Sequence, residues 1–301
     1  MKWFSLCAVL IFCVSLKAGG QAPLATPPRQ TPLNDVLAAS VPADGISEKG
    51  QMALAIKPEK WRTAETPNFY IHYRRQTEAR KVAREIEFDL FIIAQTLGVQ
   101  PSRYSKKSHV YVFEDENEWR EFIIKADMPE WVASFAHGDE LFLNVRETRG
   151  SAPFDSRTLA HETTHAVVAR IYGPQNGWPL WLNEGFAEYM GGAAISARKN
   201  QTLKRHFDPL FANGNIIPMS LDELEQTKIY PQSSVARLYE SGQAAVRLLM
   251  ISGPPDRFVQ LVNMLTAGKT LAEGVEALYG DKFKNYDDFK KAYFKITTNS
   301  R

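Results

Sequence analysis

Two histidines one helical turn apart constrain this chain more than any other feature. They lie in His161-Glu162-Thr163-Thr164-His165, inside a stretch from Ser156 to Tyr172 that reads as a helix. Asp155 or Ser156 can cap its start, and Gly173-Pro174 stops it. Four residues advance a helix by about 400°, so both imidazoles project from one face and can address one ion. Zinc accepts neutral imidazole nitrogen at about 2.0–2.1 Å. Glu162 stands one step round the helix, where it can reach a metal-bound water without ligating the metal, as the HExxH pattern requires of a general base. Taken alone, five residues leave a second reading open, that of two solvated histidines on a surface helix.

The rest of the chain must then supply a third ligand, because a catalytic zinc takes three protein ligands and keeps one position open. Leu180-Trp-Leu-Asn-Glu-Gly-Phe-Ala-Glu-Tyr189 provides Glu184 after 18 intervening residues. Those residues hold the helix end and a loop, so a second helix beginning near Leu182 can return antiparallel and set Glu184 beside the imidazoles. His161, His165 and Glu184 with a water make a hydrolytic zinc site. A di-iron helical protein would also use Glu-x-x-His pairs, but needs two of them. Only Glu162-Thr-Thr-His165 is present.

With HExxH, 18 residues and a Glu within Trp-Leu-Asn-Glu-Gly-Phe-Ala, the chain resembles the gluzincin metallopeptidases, the thermolysin-like and aminopeptidase-N-type enzymes. It is most similar in layout, over about residues 65–300, to bacterial peptidase MA-like domains. The resemblance implies zinc bound by His161, His165 and Glu184, peptide or protein substrates, and peptide-bond hydrolysis by a zinc-activated water with Glu162 as base. It implies a role for Glu188, one turn beyond Glu184, as the carboxylate that orients His161. Leu238-Tyr239-Glu240-Ser241-Gly242 is similar to the Tyr-Glu-Lys-Gly segment of aminopeptidase-N-type enzymes, which makes Tyr239 the candidate oxyanion donor, with Ser241 in place of the Lys. Tyr230 and His206 are alternative donors. The strand Glu140, Leu141, Phe142, Leu143 and Asn144 corresponds to the edge strand that pairs with extended substrate in gluzincins. The Gly-x-Met-Glu-Asn motif that holds a substrate's α-amino group is replaced by His137-Gly-Asp-Glu-Leu-Phe-Leu-Asn144, which leaves exopeptidase activity without its usual anchor. A zinc-containing peptide- or envelope-binding module with little turnover is the competing function.

The resemblance implies an α+β fold of the thermolysin-like two-lobe type, with a small N-terminal α/β lobe and a helical C-terminal lobe. The pattern along the chain agrees in outline. Strands are expected at Asn68–Tyr73, Ser108–Phe113 and Asp139–Val145. Helices are expected at Thr77–Gly98, Glu116–Ala126, Leu221–Thr227, Val235–Ile251, Pro255–Ala267, Leu271–Tyr279 and Tyr286–Ile296. The domain is expected over 56–301, with a cleft between about 56–175 and 176–301. Residues 21–55, rich in Pro and Ala, read as a linker or loosely packed arm.

Residues 1–20 read as a secretory signal: Lys2, an apolar run from Trp3 to Leu16, then Ala18-Gly19-Gly20. The expected location is periplasmic or secreted, with an uncleaved anchor as the alternative and no stable membrane span after signal removal. Both cysteines, Cys7 and Cys13, fall in this segment, so the mature chain would carry no disulfide and no thiolate ligand. Without residues 1–20, 34 basic side chains balance 34 acidic ones, which gives no basic face and no expectation of a nucleic-acid partner. His72 and His109 on predicted strands, and Trp178, Trp181, Phe186 and Tyr189 near the motif, are expected to be structural.

Overall fold

The strand Ser108–Phe113 reads Ser-His-Val-Tyr-Val-Phe and is buried along its whole length, which explains the layering of the domain. Val110 and Val112 enter one hydrophobic cluster, and Tyr111 and Phe113 enter another. Successive side chains of a strand point to opposite faces, so apolar residues at both parities require cover on both sides.

The computed structural model describes residues 31–100, 106–145, 156–173, 177–199, 217–231 and 235–298. Asp155, Pro174, His206, both cysteines and the signal-like segment lie outside them. The strands are β1 (Asn34–Val36), β2 (Arg62–Glu65), β3 (Phe69–Tyr73), β4 (Ser108–Phe113), β5 (Ser134–His137) and β6 (Glu140–Asn144). They form one sheet in the order β1-β2-β3-β4-β6-β5. β3, β4 and β6 run parallel, while β1, β2 and β5 pair antiparallel to their neighbours.

Helices α1 (Glu48–Leu54) and α3 (Glu116–Lys125) cover one face, where Trp119, Phe122, Phe135 and Phe142 meet Ala53 and Ile56. The other face carries α2 (Gln76–Thr96), α4 (Ser156–Tyr172) and α5 (Leu180–Arg198). The chain ends in α6 (Leu221–Gln226), α7 (Val235–Ile251), α8 (Pro255–Thr266), α9 (Leu271–Tyr279) and α10 (Tyr286–Thr298). The protein is thus α+β, with its strands early and its helices dominant late. No helix among the described residues is long and apolar enough to cross a membrane.

Two expectations change. The first concerns the arm. Residues 34–54 belong to the fold: β1 pairs with β2, Ser47 caps α1 by accepting from Gly50 N, and Ala53 is fully buried. Gly50 is required there, since a Cβ would meet Tyr111 Oη at 2.2 Å. The second concerns Glu140–Asn144. This strand is β6, an interior strand between β4 and β5, and the edge on this side of the sheet is β5. Glu140 is buried, accepts from Tyr111 Oη at 2.7 Å and from Ser47 N at 3.2 Å, and so fastens the arm to the sheet instead of facing a substrate.

Candidate metal centre and its surroundings

α4 and α5 pack against each other and bring the three expected ligands together. His161 Nε2 and His165 Nε2 are 3.1 Å apart. Glu184 Oε2 lies 3.3 Å from the first and 3.4 Å from the second. A tetrahedral ion with bonds of about 2.0–2.1 Å needs ligand atoms about 3.3–3.4 Å from one another. The near-equilateral triangle therefore has the right size for zinc.

The chemistry of these donors also fits a cation. Glu184 is almost completely buried, and its Oε2 has no hydrogen-bond donor among the described residues. A buried carboxylate oxygen left without a donor is costly unless positive charge faces it. Burial would raise the Glu184 carboxyl, but the His165 and His161 imidazoles outweigh it and hold the group well below the usual range. Burial works the opposite way on His161, and there the Glu184 and Glu188 carboxylates prevail and push it up to about 10. The two shifts are the two sides of one attraction, in which the imidazoles and the carboxylates hold each other charged.

The partners around these residues are specific. The other oxygen of Glu184, Oε1, accepts from Tyr230 Oη at 2.6 Å. Glu188 Oε1 lies 3.1 Å from His161 Nδ1, though not aligned as a full hydrogen bond, and its Oε2 accepts from Arg157 Nη2 at 2.7 Å. The Tyr239 ring sits 5.5 Å from the His161 ring, centroid to centroid. Burial, and then Glu184 and Glu162, raise the Tyr239 phenol, so its proton stays on the oxygen and is available to donate.

Glu162 is half-buried beside the cluster. Burial raises its carboxyl above the ordinary value, with the His161 and His165 imidazoles acting against that. Its Oε2 accepts from Ala136 N of β5 at 3.1 Å. This contact shows which way β5 faces. Asn144 N donates to Ala133 O, so alternate residues Ala133, Phe135 and His137 turn their polar groups toward β6. Ser134 and Ala136 turn theirs outward, at the sheet edge next to Glu162.

A profile of the Peptidase MA superfamily matches residues 89–296. The chain belongs to the Peptidase MA superfamily. This is a zinc metallopeptidase-like family, generally zinc-dependent, and its membership makes the chain a peptidase-like enzyme with peptide or protein substrates. The match runs from within α2 into α10 and includes every site residue described above. No curated protein matches the chain.

Of the residues singled out from sequence, the structure brings His161, Glu162, His165, Glu184, Glu188, Tyr230 and Tyr239 into one place. It does not bring Glu140, Leu141, Phe142, Leu143 or Asn144 there. Trp181, Phe186 and Tyr189 are buried in the main core with Trp178. His72 and His109 are buried against each other on β3 and β4, with Nε2 and Nδ1 3.0 Å apart. Two neighbours of the cluster were not anticipated, β5 through its contact with Glu162 and Arg157 through its contact with Glu188. The sequence signal for Arg157 was its spacing, one turn before His161 on the same helix face.

Proposed function

We propose that this chain is an exported zinc metallopeptidase of the gluzincin type. The observation that carries the reading is the three-atom cluster of His161, His165 and Glu184, sized for a tetrahedral ion and flanked by Glu162. Zinc bound there would polarise the scissile carbonyl and lower the pKa of a water molecule. Glu162 takes the proton of the attacking water and returns it to the amine nitrogen as the C–N bond breaks. The Tyr239 phenol, held protonated, donates to the oxyanion that forms on the carbonyl oxygen. Tyr230 has its hydroxyl on Glu184, which suits it to fixing that ligand rather than to oxyanion binding.

The substrate rail in this reading is β5. Its outward groups at Ser134 and the outward carbonyl of Ala136, whose N–H is held by Glu162, can pair with an extended peptide, and main-chain pairing is tolerant of sequence. Pairing at Ala136 also lays the scissile bond beside Glu162. The lobes of the thermolysin-like plan are the sheet with its covering helices and the C-terminal helices. Export rests on the character of residues 1–20.

The test combines Glu162→Gln with metal removal. The variant is expected to fold and bind zinc while kcat on a diverse peptide mixture falls about 10²- to 10⁴-fold, the range for a lost general base. A chelator should abolish cleavage by the unaltered chain, and zinc should restore it. Full activity in Glu162→Gln would refute the mechanism. Zinc binding with no cleavage of any peptide by the unaltered chain would favour the binding-module reading.

A further inference from the structure

We infer that Arg157 is a positioning residue for the metal site, acting on His161 through Glu188; the inference rests on the metallopeptidase reading above. Arg157 and His161 are one turn apart on α4, so they share the face that meets α5. Glu188 comes from α5 and is gripped by both. Its Oε2 accepts from Arg157 Nη2 at 2.7 Å, and its Oε1 lies 3.1 Å from His161 Nδ1. Each carboxylate oxygen thus has its own partner.

The backbone of α5 is shaped to admit the arginine. A Cβ on Gly191 would come within 3.1 Å of both Arg157 Cγ and Arg157 O. Gly191 and Glu188 are three residues apart on α5 and share a face. The missing side chain at 191 leaves a track for the arginine stem, which carries the guanidinium to Glu188.

The consequence concerns the imidazole. A carboxylate held only by His161 could rotate away, since its side chain keeps 18% exposure. With Oε2 fixed by Arg157, Oε1 stays beside Nδ1 and favours the proton there. The Nε2 lone pair is then directed at the point shared with His165 and Glu184. Positioning and charge make opposite predictions. As a bare positive charge, Arg157 would repel zinc, and its removal would tighten binding. As a positioning residue, its removal weakens binding.

The experiment measures zinc affinity of the full chain by competition with a chromophoric chelator, alongside the thermal stability of the metal-free protein. Arg157→Met keeps the stem and removes the fork, and Arg157→Lys keeps the charge. Arg157 is about half exposed, so neither variant should compromise folding. Arg157→Met is expected to bind zinc about three- to tenfold more weakly, at or below the low end of the effect of a direct partner. Its metal-free Tm should be unchanged, and Arg157→Lys should recover part of the loss. In a Glu188→Ala background, Arg157→Met should cause no further loss. Equal or tighter zinc binding by Arg157→Met overturns the inference, and so does an undiminished loss in the Glu188→Ala background. If the unaltered chain binds no zinc, the metallopeptidase reading falls and takes the inference with it. If it binds zinc and Arg157→Met binds equally, only the inference falls.

Discussion

Adding one methyl group at Gly185 should damage this protein, although alanine is the better helix former. Gly185 lies in the second turn of α5, and a Cβ there would sit 2.3 Å from Gly242 C and 2.4 Å from Gly242 O of α7. Ordinary carbon contacts lie at about 3.5–4.0 Å, so the two helices must part by roughly 1 Å. Backbone atoms have no rotamer to escape into, which puts the overpacking cost near the top of the usual range, about 3 kcal/mol. The helix propensity gained from Gly to Ala returns about 1 kcal/mol. The net loss is about 2 kcal/mol, or roughly 4–8 °C in Tm for a chain of this size. Function should suffer in a selective way. All three candidate ligands lie on α4 and α5, whereas Tyr239 lies on α7, one turn before Gly242. If α7 yields, the ligand triangle is retained and Tyr239 moves away from it. A displacement of about 1 Å of a group at the chemistry can cost about 10²-fold in rate. Gly185→Ala should therefore lower kcat by one to two orders of magnitude and leave zinc affinity within a few-fold. Gly242→Ala should behave alike, because its Cβ would meet Trp181 O at 2.4 Å. Calorimetry, steady-state kinetics and chelator competition on the two variants decide it. A Gly185→Ala protein with unchanged or raised Tm and unchanged kcat would refute the close helix crossing and the role given to it.

The two tyrosines should separate by readout. Tyr239→Phe should lower kcat by about 10²- to 10³-fold with zinc affinity intact, as for a lost oxyanion donor; Tyr230→Phe should instead weaken zinc by at least about tenfold, as for a lost ligand partner, and the reverse pattern would exchange their roles. The buried His72 predicts a pH dependence of stability remote from the metal site. Burial and then His109 lower its pKa to about 3, whereas the unfolded imidazole titrates near 6.5. Between those values the unfolded chain binds the extra proton, so the contribution is fully present above about pH 6.5 and falls as pH drops, by up to about 2 kcal/mol at pH 5. Urea unfolding at pH 7.5 and pH 5 should show a smaller difference in His72→Gln than in the unaltered chain, and equal differences would contradict the assignment.

The helices and the candidate metal cluster were legible because they depend on local spacing. The bounds expected for α4, α7 and α9 coincide with those observed, and the ligands of α4 follow from a four-residue repeat that any helix imposes. Glu184 was reachable because a short loop between antiparallel helices leaves few positions for its return. The sheet was less legible, since pairing depends on residues far apart in the chain. β1 has three residues and β5 four, too short for an alternating pattern to stand out. The order of the strands was partly written in composition. Leu141-Phe142-Leu143 is a continuous apolar run, and its two parities enter different clusters. A strand covered on both faces belongs in the interior of a sheet, which argues against the edge position expected from resemblance. In Ser134-Phe135-Ala136-His137 only Phe135 is buried, and the other three positions keep some exposure, as an edge should.

The displaced edge strand alters the account of specificity more than that of chemistry. With β6 inside the sheet, Glu140 has a structural duty, and no acid of that strand remains to hold a substrate's amino terminus. What borders Glu162 is backbone, the outward groups of Ala136 and, two residues earlier, of Ser134. A rail of main-chain groups grips an extended peptide anywhere along its length, whereas an exopeptidase must also bind a terminal charge. The described surroundings of the ligands supply Glu162, Tyr230, Tyr239, Glu188 and Arg157, the last two engaged with each other, and, next to Tyr239, Glu240, whose carboxyl burial and then Glu188 raise. In the proposed reading, β6 therefore supplies no anchor for a substrate's amino terminus. The signal that would have shown this in advance was the apolar run of β6, which is incompatible with an exposed edge.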